Sequence, residues 1–323
     1  MSFKNSKKKA LRLMPIVWIG RAIGHTPSVL LRKLVNDENK VMVKLEFMNP
    51  SGSIKDRPAL FMIKKAEEEG LLKEGSTIVE PSSGNTAISL AMLAAARGYK
   101  MVAVVPKTTS SNKIKMLKAL GARVIFSESG VPLGHPEHHY TKAVRLAKEN
   151  GWVMLDQYRN EANVRAHYET TGPELHAQAI QLMGGLDAFV AGVGTGGTIL
   201  GIGKYLKEVK EDVRVIAVVP SNTLISKFLG LNGDRTFHSI EGLTAMPVSS
   251  LLRKYRHLID EVIEISDNEA LETMKFLASR EGIMGGLSCG ANVAASLKLA
   301  REGIRVATVC PDGLIRYLDR LEL

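Results

Sequence analysis

Residues 187–209 read DAFVAGVGTGGTILGIGKYLKEV, a short apolar strand followed by a glycine-rich turn and a helical pattern. The same order of strand, turn and helix recurs along almost the whole chain. Alternation of this kind predicts parallel sheets that are covered by helices on both faces. Ligands of such folds lie at the carboxyl ends of the strands, where these turns occur. The sequence therefore predicts an α/β fold with a site built from its turns.

The other repeats of the pattern have similarly short strands and amphipathic helices. Strands are predicted over residues 77–80, 101–106, 123–126, 213–219, 262–265 and 306–309. Helices are predicted over residues 87–97, 112–120, 140–150, 199–209 and 267–281. No linker-like segment interrupts the series, so the two halves of the chain are expected to meet near residue 158 without a visible boundary.

The bulk composition is that of an ordinary globular protein. The chain has 323 residues, enough for two packed domains, and a formal net charge of +10. Only 5% of the residues are aromatic and the basic residues are dispersed, so nucleic-acid binding is not expected. The two cysteines form no CxxC pair and no apolar run reaches about 18 residues, which argues against a disulfide framework, a zinc site and a membrane span. We expect a cytoplasmic protein with a mild preference for anionic small molecules.

Lys55 lies in the segment NPSGSIKDR, residues 49–57, between an extended run at 41–47 and a helical pattern at 59–66. A lysine at the start of such a helix lies near buried surface, where its charged form is disfavoured. An amine that loses its proton more easily can attack a carbonyl and form a Schiff base. The alternative is a solvated lysine, as most of the 43 lysines and arginines must be. Two glycine turns favour the first interpretation.

One of these turns reads EPSSGNT, residues 80–86, between a strand and an alanine-rich helix. Its hydroxyls, its amide and the backbone N–H groups at the helix start suit the binding of a carboxylate. Capping of the helix by Ser83 or Asn85 is the alternative explanation.

The other turn reads GVGTGGT, residues 192–198, again between a strand and a helix. Its glycines let the backbone approach an anion, and the helix start and threonine hydroxyls can donate to phosphate oxygens. The turn satisfies GxGxxG, but a dinucleotide site also requires an acidic residue near the end of the next strand. That strand and its end, residues 215–221, carry no carboxylate. A phosphate monoester therefore suits this turn better than NAD.

A Schiff-base lysine, a carboxylate site and a phosphate site together match the needs of pyridoxal phosphate acting on an amino acid. The chain resembles the cysteine synthase and cystathionine β-synthase family of fold-type II pyridoxal-phosphate enzymes, and its motifs are most similar to those of O-acetylserine and O-phosphoserine sulfhydrylases. The resemblance extends from about residue 24 to residue 318, nearly the whole chain. The motifs that carry it occur in family order at residues 51–57, 82–86, 155–158 and 194–198.

The resemblance implies a tryptophan synthase β-like fold, with two three-layer α/β domains and mostly parallel sheets. A smaller mobile domain, residues 48–158, would carry Lys55 and the substrate-carboxylate loop. A larger domain, residues 1–47 and 159–323, would carry the phosphate-binding loop. The resemblance also implies a homodimer that binds pyridoxal 5′-phosphate, and no metal site is expected.

The resemblance also implies roles for individual residues. Lys55 would form the Schiff base and later move the substrate's Cα proton. Asn85 would bind the cofactor's ring oxygen, and Ser288 would face its pyridine nitrogen. The residues that would bind the substrate carboxylate are Ser82, Ser83, Thr86 and Gln157. The residues that would bind the cofactor phosphate are Gly194, Thr195, Gly196, Gly197 and Thr198.

Ser288 also bears on the type of reaction. A hydroxyl cannot keep the pyridine nitrogen protonated as a carboxylate would, so the ring is a weaker electron sink. A weak sink favours prompt loss of a β-leaving group over racemisation or transamination. A serine that caps the following helix is the alternative explanation.

The activity that the resemblance implies is β-replacement on an activated L-serine, O-acetylserine or O-phosphoserine, with sulfide as the acceptor and L-cysteine as the product. Homocysteine as the acceptor, as in cystathionine β-synthase, is an alternative, because QYRN at residues 157–160 resembles that branch as well. A serine or threonine dehydratase is less favoured, since those enzymes typically carry Arg-Gly after the lysine, where this chain has Asp56 and Arg57. A non-catalytic amino-acid sensor is disfavoured by the intact lysine and phosphate turn.

Two departures from the family pattern concern specificity. Relatives selective for O-phosphoserine generally place an arginine near Ser221. Lys227 or Arg235 could replace it here, but a solvated surface charge is the favoured interpretation of each. O-acetylserine enzymes usually have Gly-Ile-Gly-Ala-Gly where residues 241–245 read EGLTA. The donor and the acceptor therefore stay open.

Two further clusters are interpreted as structural. Three histidines, His135, His138 and His139, invite a metal interpretation, but a polar loop is favoured because no cysteine lies nearby. Cys289 is interpreted as a packing residue because no activating base is evident.

Overall fold

The computed structural model describes residues 18–35, 40–243, 248–301 and 303–320, with side chains up to residue 318. Within them the strands form two separate sheets, one of six strands and one of four. The strands are β1 (Ser28–Leu30), β2 (Lys40–Leu45), β3 (Thr77–Glu80), β4 (Lys100–Pro106), β5 (Arg123–Ser127), β6 (Val153–Met154), β7 (Ala188–Gly192), β8 (Arg214–Pro220), β9 (Glu261–Ile265) and β10 (Arg305–Cys310).

The larger sheet has the order β1-β2-β10-β7-β8-β9, and the smaller sheet has the order β5-β4-β3-β6. β1 runs antiparallel to β2, and the other neighbouring strands of both sheets are parallel. The mostly parallel sheets expected for a fold-type II pyridoxal-phosphate enzyme are therefore confirmed.

Helices connect the parallel strands and lie against both sheets. They are α1 (Asp56–Glu68), α2 (Asn85–Arg97), α3 (Ser111–Ala119), α4 (His139–Asn150), α5 (Ala162–Ala166), α6 (Gly172–Met183), α7 (Gly197–Val209), α8 (Leu224–Phe228), α9 (Ser250–Tyr255), α10 (Asp267–Phe276) and α11 (Leu287–Ala300). Two π-helical turns, His167–Thr171 and Leu277–Glu281, adjoin α6 and α10. Short 3₁₀ helices cover Ile19–Ala22, Glu46–Met48, Arg256–Leu258 and Leu314–Arg320.

The central strands are continuous apolar runs because helices cover both of their faces. All residues of β8 after the first are buried, and so are all residues of β10 after the first. Separate apolar clusters lie on the two faces of the larger sheet, and two more lie in the part of the chain around the smaller sheet. This burial explains why the sequence alternates so regularly between short apolar strands and helices.

The predicted strands and helices are confirmed, with boundaries that move by a few residues. The predicted helix at 267–281 consists of α10 and the π-helical turn that follows it. The domain boundaries stay a prediction, although the smaller sheet takes all its strands from residues 77–154. Residues 1–17 of the expected larger domain lie outside the described residues.

Three strand ends bring the functional turns together. β3 ends at Glu80, the first residue of the carboxylate loop (residues 80–86), and β7 ends at Gly192, the first residue of the phosphate turn (residues 192–198). β10 ends at Cys310, and the Pro311 carbonyl after it accepts a 2.8 Å hydrogen bond from the Ile54 N–H, next to Lys55. Among the described residues no helix is both long and apolar enough to cross a membrane.

Candidate active site

Lys55 is the N-cap residue of α1, at the helix start that the sequence predicts, but the 3₁₀ helix Glu46–Met48 and a turn separate it from β2. Its backbone is fixed on both sides, because Ile54 is bonded to Pro311 and the Lys55 carbonyl accepts from the Ala59 N–H at 3.0 Å. Lys55, Asn85, Ser288 and the turn at 194–198 line one cavity. The structure therefore brings together residues that are more than 230 positions apart along the chain.

The environment of Lys55 makes its uncharged amine more accessible than that of a solvated lysine. Part of its surface faces the cavity, but enough protein surrounds the ammonium that desolvation lowers the pKa of Lys55 to about 8. The nearby carboxylate of Asp312 acts in the opposite direction and raises it. An amine with such a pKa is free in a useful fraction of molecules near neutral pH, as a nucleophile or a proton acceptor must be.

The phosphate turn depends on its glycines. Gly196 has φ +89°, a left-handed conformation that side chains disfavour, and α7 begins directly after it. A Cβ atom at Gly194 would collide with the carbonyl of Gly242, and one at Gly197 would collide with Asn163 Oδ1. The start of the 13-residue helix α7 lines the cavity, where backbone N–H groups can meet an anion.

Neighbouring side chains hold the phosphate turn in place. Thr195 Oγ1 accepts a 2.8 Å hydrogen bond from Asn163 Nδ2, and the Thr195 carbonyl accepts one of 2.6 Å from Ser249 Oγ. Thr198 Oγ1 lies 3.3 Å from Nε2 of the buried His167. Burial lowers the pKa of His167 well below its ordinary value, so the imidazole is neutral.

These residues fit pyridoxal phosphate. A helix start with glycines offers a place for the phosphate, and a desolvated lysine amine on the same cavity can meet the aldehyde. A larger residue at position 194 would clash with the Gly242 carbonyl and force the turn to shift.

The carboxylate loop begins α2 without a side-chain cap. The N-cap residue is Gly84, and no side chain caps the helix, so capping by Ser83 or Asn85 does not explain these residues. Ser83 lines a cleft of about 800 Å³. Thr86 Oγ1 donates a 2.7 Å hydrogen bond to Gln157 Oε1. Ser82 Oγ accepts from the Gly84 N–H at 3.3 Å.

Three residues that are expected to bind the substrate carboxylate do not line the surface of either cavity. Among the described residues, those that line the cavity around Lys55 or the large cleft do not include Ser82, Thr86 or Gln157. Thr86 and Gln157 are buried and Ser82 is half-buried. Their roles as carboxylate ligands stay a prediction.

Ser288 is buried and lines the cavity. The N-cap of α11 is Gly286, and no side chain caps this helix, so the helix-capping explanation for Ser288 does not hold. Gly242, with φ +93°, approaches it closely enough that an added Cβ would lie 3.6 Å from the serine hydroxyl. The hydroxyl is placed where a neutral group of a ligand could meet it.

Sequence reasoning missed four buried polar residues around the cavity: Glu80, Asn163, His167 and Asp312. Glu80 is 0% exposed and accepts from the backbone N–H groups of Asp156 at 3.1 Å and Gln157 at 3.3 Å. Desolvation raises the pKa of Glu80 to about 8. Asn163 Nδ2 donates to the Gln157 carbonyl at 2.8 Å as well as to Thr195, so it joins the two loops. Glu80 is part of the turn EPSSGNT, whereas Asn163, His167 and Asp312 lie outside the motifs that the sequence shows.

The residues linked to specificity lie around the large cleft or at the surface. Glu241 pairs with Lys113, and both line the cleft. A guanidinium nitrogen of Arg235 (Nη2) lies 3.6 Å from Oδ2 of Asp267, another residue of the cleft. Lys227 is exposed to solvent. Of the segment EGLTA, residues 244 and 245 lie outside the described residues.

One histidine of the loop caps a helix, and both cysteines are buried. His138 caps α4 by accepting from the Tyr140 N–H at 3.2 Å. Within residues 18–35, 40–243, 248–301 and 303–320, no cluster of metal-ligating side chains occurs. Cys289 and Cys310 are both buried, and burial raises the pKa of Cys310 well above its ordinary value.

Comparison with known proteins agrees with the geometry. The family model described as "Pyridoxal-phosphate dependent enzyme" matches residues 19–311. A cysteine synthase from Staphylococcus aureus is 40% identical over 94% of this chain and 96% of its own length. A cystathionine β-synthase from Apis mellifera is 41% identical over 93% of this chain, which spans 60% of that protein's length.

Solved structures give the same result. The crystal structure of an O-ureido-L-serine synthase matches with a TM-score of 0.87 and 38% identity, covering 94% of each chain. The resemblance read from the motifs is confirmed, and so is the cofactor that it implies. The chain belongs to the family of pyridoxal-phosphate dependent enzymes.

Proposed function

We propose that the chain catalyses β-replacement on an activated L-serine, O-acetylserine or O-phosphoserine, with sulfide as the acceptor and L-cysteine as the product. The observation that carries the proposal is the shared cavity of the desolvated Lys55 amine and the phosphate turn, beside a loop suited to a carboxylate. Relatives named cysteine synthase at about 40% identity support the same activity.

Lys55 is the proton-transfer group of this mechanism. Bound pyridoxal phosphate supplies an electron sink for the charge that develops at Cα. With a pKa near 8, the Lys55 amine can accept the Cα proton and return it at the end of the reaction. Its backbone bonds at residues 54 and 59 fix the direction from which the amine approaches.

The carboxylate loop orients the substrate. We assign the carboxylate to the hydroxyls of Ser82, Ser83 and Thr86, to the N–H groups at the start of α2, and to Gln157. Because the Thr86 hydroxyl donates its one hydrogen to Gln157 Oε1, substrate binding would have to redirect this hydrogen to the carboxylate. We assign the cofactor's ring oxygen to Asn85, its phosphate to residues 194–198 and its pyridine nitrogen to the neutral hydroxyl of Ser288.

A second acceptor is supported by the large cleft. Its volume of about 800 Å³ exceeds what sulfide needs, and it carries charges of both signs at Lys113, Glu241 and Asp267. Such a cleft can take a zwitterionic amino acid, so homocysteine is the second candidate acceptor. The relative named cystathionine β-synthase points to the same alternative.

We further propose that residues 48–158 close over the bound substrate, and that the protein is a cytoplasmic homodimer. Apolar side chains support the dimer, since Met48, Met284 and Ile315 are exposed near a groove of about 280 Å³. A second copy of the chain would cover them.

Turnover of both donors with both acceptors tests the activity. We expect cysteine from O-acetylserine or O-phosphoserine plus sulfide. Lys55→Ala should abolish it, whereas Lys64→Ala, an exposed lysine on the same helix, should not. Release of pyruvate or 2-oxobutyrate at comparable rates would favour a dehydratase, and absence of all turnover would contradict the proposal.

A further inference from the structure

Asp312 lies at the meeting point of three functional segments. It follows β10 and pairs as an isolated β-bridge with Ser53, two residues before Lys55. Its backbone carbonyl accepts a 2.9 Å hydrogen bond from the N–H of Gly286, two residues before Ser288. The side chain is 1% exposed. A carboxylate so deeply buried is costly to the fold unless hydrogen bonds or opposite charges compensate for its desolvation.

The side chain of Asp312 reaches across to the carboxylate loop. Its Oδ2 accepts from Asn85 Nδ2 at 2.8 Å and from the Tyr317 hydroxyl at 2.7 Å. Its Oδ1 is buried and has no hydrogen-bond partner among the described residues. This oxygen fills space beside Gly286, where an added Cβ would collide with it. The carboxylate is therefore held in one orientation, facing Asn85.

This contact determines how Asn85 presents its amide. A carboxylate only accepts hydrogen bonds, so it fixes which end of the amide is Nδ2. Nδ2 carries two hydrogens, and one of them is directed to Asp312. The other remains available to the cavity that Asn85 lines. If Asp312 were absent, the amide could rotate and present its oxygen to the cavity instead.

Asp312 also acts on Lys55 through its charge. Burial raises the pKa of Asp312 above its ordinary value, and the hydrogen bonds from Asn85 and Tyr317 offset only part of this rise. The carboxylate is the charged group that offsets part of the desolvation of the Lys55 ammonium. One side chain thus bonds to Asn85 and acts through its charge on Lys55, the two residues that are assigned to the cofactor's reactive end.

We propose that Asp312 is a positioning residue for the cofactor, which fixes the Asn85 amide so that its second N–H points at the ring oxygen of pyridoxal phosphate. The inference rests on the proposed roles of Asn85 and Lys55. It adds a buried acid that the sequence motifs do not contain, and that acts through Asn85 rather than on the substrate.

The test compares two variants that remove different bonds at the same oxygen. Asp312→Asn keeps the size of the side chain but can offer either an N–H or an oxygen to Asn85. Tyr317→Phe removes the other bond to Oδ2 and leaves Asp312 facing Asn85. The dissociation constant of pyridoxal phosphate from the apoprotein and the visible absorption spectrum of the bound cofactor are measured for each, with thermal unfolding as the readout of the fold.

We expect Asp312→Asn to weaken cofactor binding about tenfold and to shift the visible absorption band. Tyr317→Phe should lower thermal stability but change the dissociation constant less than about threefold and leave the band in place. If Asp312 had a purely structural role, both variants would change the dissociation constant and the absorption band to a similar extent. Should Asp312→Asn not fold, Asp312→Ser provides the same comparison with a smaller buried group.

A double-mutant cycle with Asn85→Ala shows whether Asp312 acts through Asn85. In the Asn85→Ala background, Asp312→Asn should change the dissociation constant much less than in the wild type, and the remainder would come from the lost charge near Lys55. The full effect persisting in that background, or wild-type binding by Asp312→Asn, would overturn the role of Asp312 alone. A wild-type apoprotein that takes up no pyridoxal phosphate would instead overturn the proposed function together with this role.

Discussion

The two loops on either side of the cavity differ in how firmly they are held. In the phosphate turn, Thr195 is buried and is bonded by both Asn163 and Ser249. In the carboxylate loop, Ser82 and Ser83 are half-buried, and the bond to Ser82 Oγ comes from Gly84 of the same loop. A site for a resident group benefits from a preformed shape, whereas a site for a substrate must open and close.

The glycines show the same difference. A Cβ atom at Gly197 would collide with Asn163, but one at Gly84 would meet nothing within 4 Å. The phosphate turn is therefore packed against the larger sheet's helices, and the carboxylate loop has space around it. The comparison predicts that equal changes in the two loops have unequal effects.

The largest difference is expected between Gly197→Ala and Gly84→Ala. The first should reduce affinity for pyridoxal phosphate by about 100-fold or more, because the turn must shift away from Asn163. The second should leave that affinity within about threefold of wild type. Equilibrium titration of the two apoproteins with the cofactor measures both. Equal affinities for the two variants would contradict the contrast between the loops.

A pH effect is expected from Glu80, which holds the backbone at Gln157. Its pKa rises from an ordinary value of 4.5 to about 8 on folding, so the folded protein retains a proton that the unfolded chain releases. Between about pH 4.5 and 8 this group therefore makes the fold less stable as the pH rises.

Urea unfolding of the wild type and Glu80→Gln at several pH values tests this. The stability of the wild type relative to Glu80→Gln should fall, by on the order of a few kcal/mol, as the pH rises through this window. Parallel profiles for the two proteins would show that Glu80 titrates at its ordinary pKa.

Asn163→Ala breaks the connection between the loops. It leaves Thr195 Oγ1 and the Gln157 carbonyl without their common donor. We expect this loss to weaken the binding free energies of the cofactor and the amino-acid donor by about 1–3 kcal/mol. Both the cofactor's dissociation constant and the KM for the amino-acid donor should rise. If only one of them changed, Asn163 would support one loop alone.

The smallest effect is expected from Thr86→Val. This change removes the bond to Gln157, which should raise the KM of the donor about fivefold, because a neutral hydrogen bond contributes about 1 kcal/mol. Cofactor affinity should stay within about twofold of wild type. Steady-state kinetics and a cofactor titration separate the two effects, and weaker cofactor binding would argue against the division between the loops.

The sequence alone predicts what depends on local patterns. Short apolar strands followed by helices give the sheets, and glycines that permit close approach give the phosphate turn. Lys55 was found because it precedes a helix at such a turn. These features need only a few neighbouring residues to be recognised.

The remaining features depend on contacts between distant parts of the chain. Asp312 and Asn85 are 227 positions apart in the sequence. They meet because the carboxyl end of β10 lies next to the start of α2. Asn163 acquires its role because α5 lies against the phosphate turn. A single asparagine or aspartate in a sequence carries no sign of such partners, so neither could be found from its neighbours.

The covalent position of the cofactor tests the central claim most directly. The holoenzyme would be reduced with borohydride and digested, and the peptides would be mapped by mass spectrometry. We expect the pyridoxyl group on Lys55, because its desolvated amine faces the phosphate turn. A label on a different lysine, such as the buried Lys44, or no label on any lysine, would contradict the account.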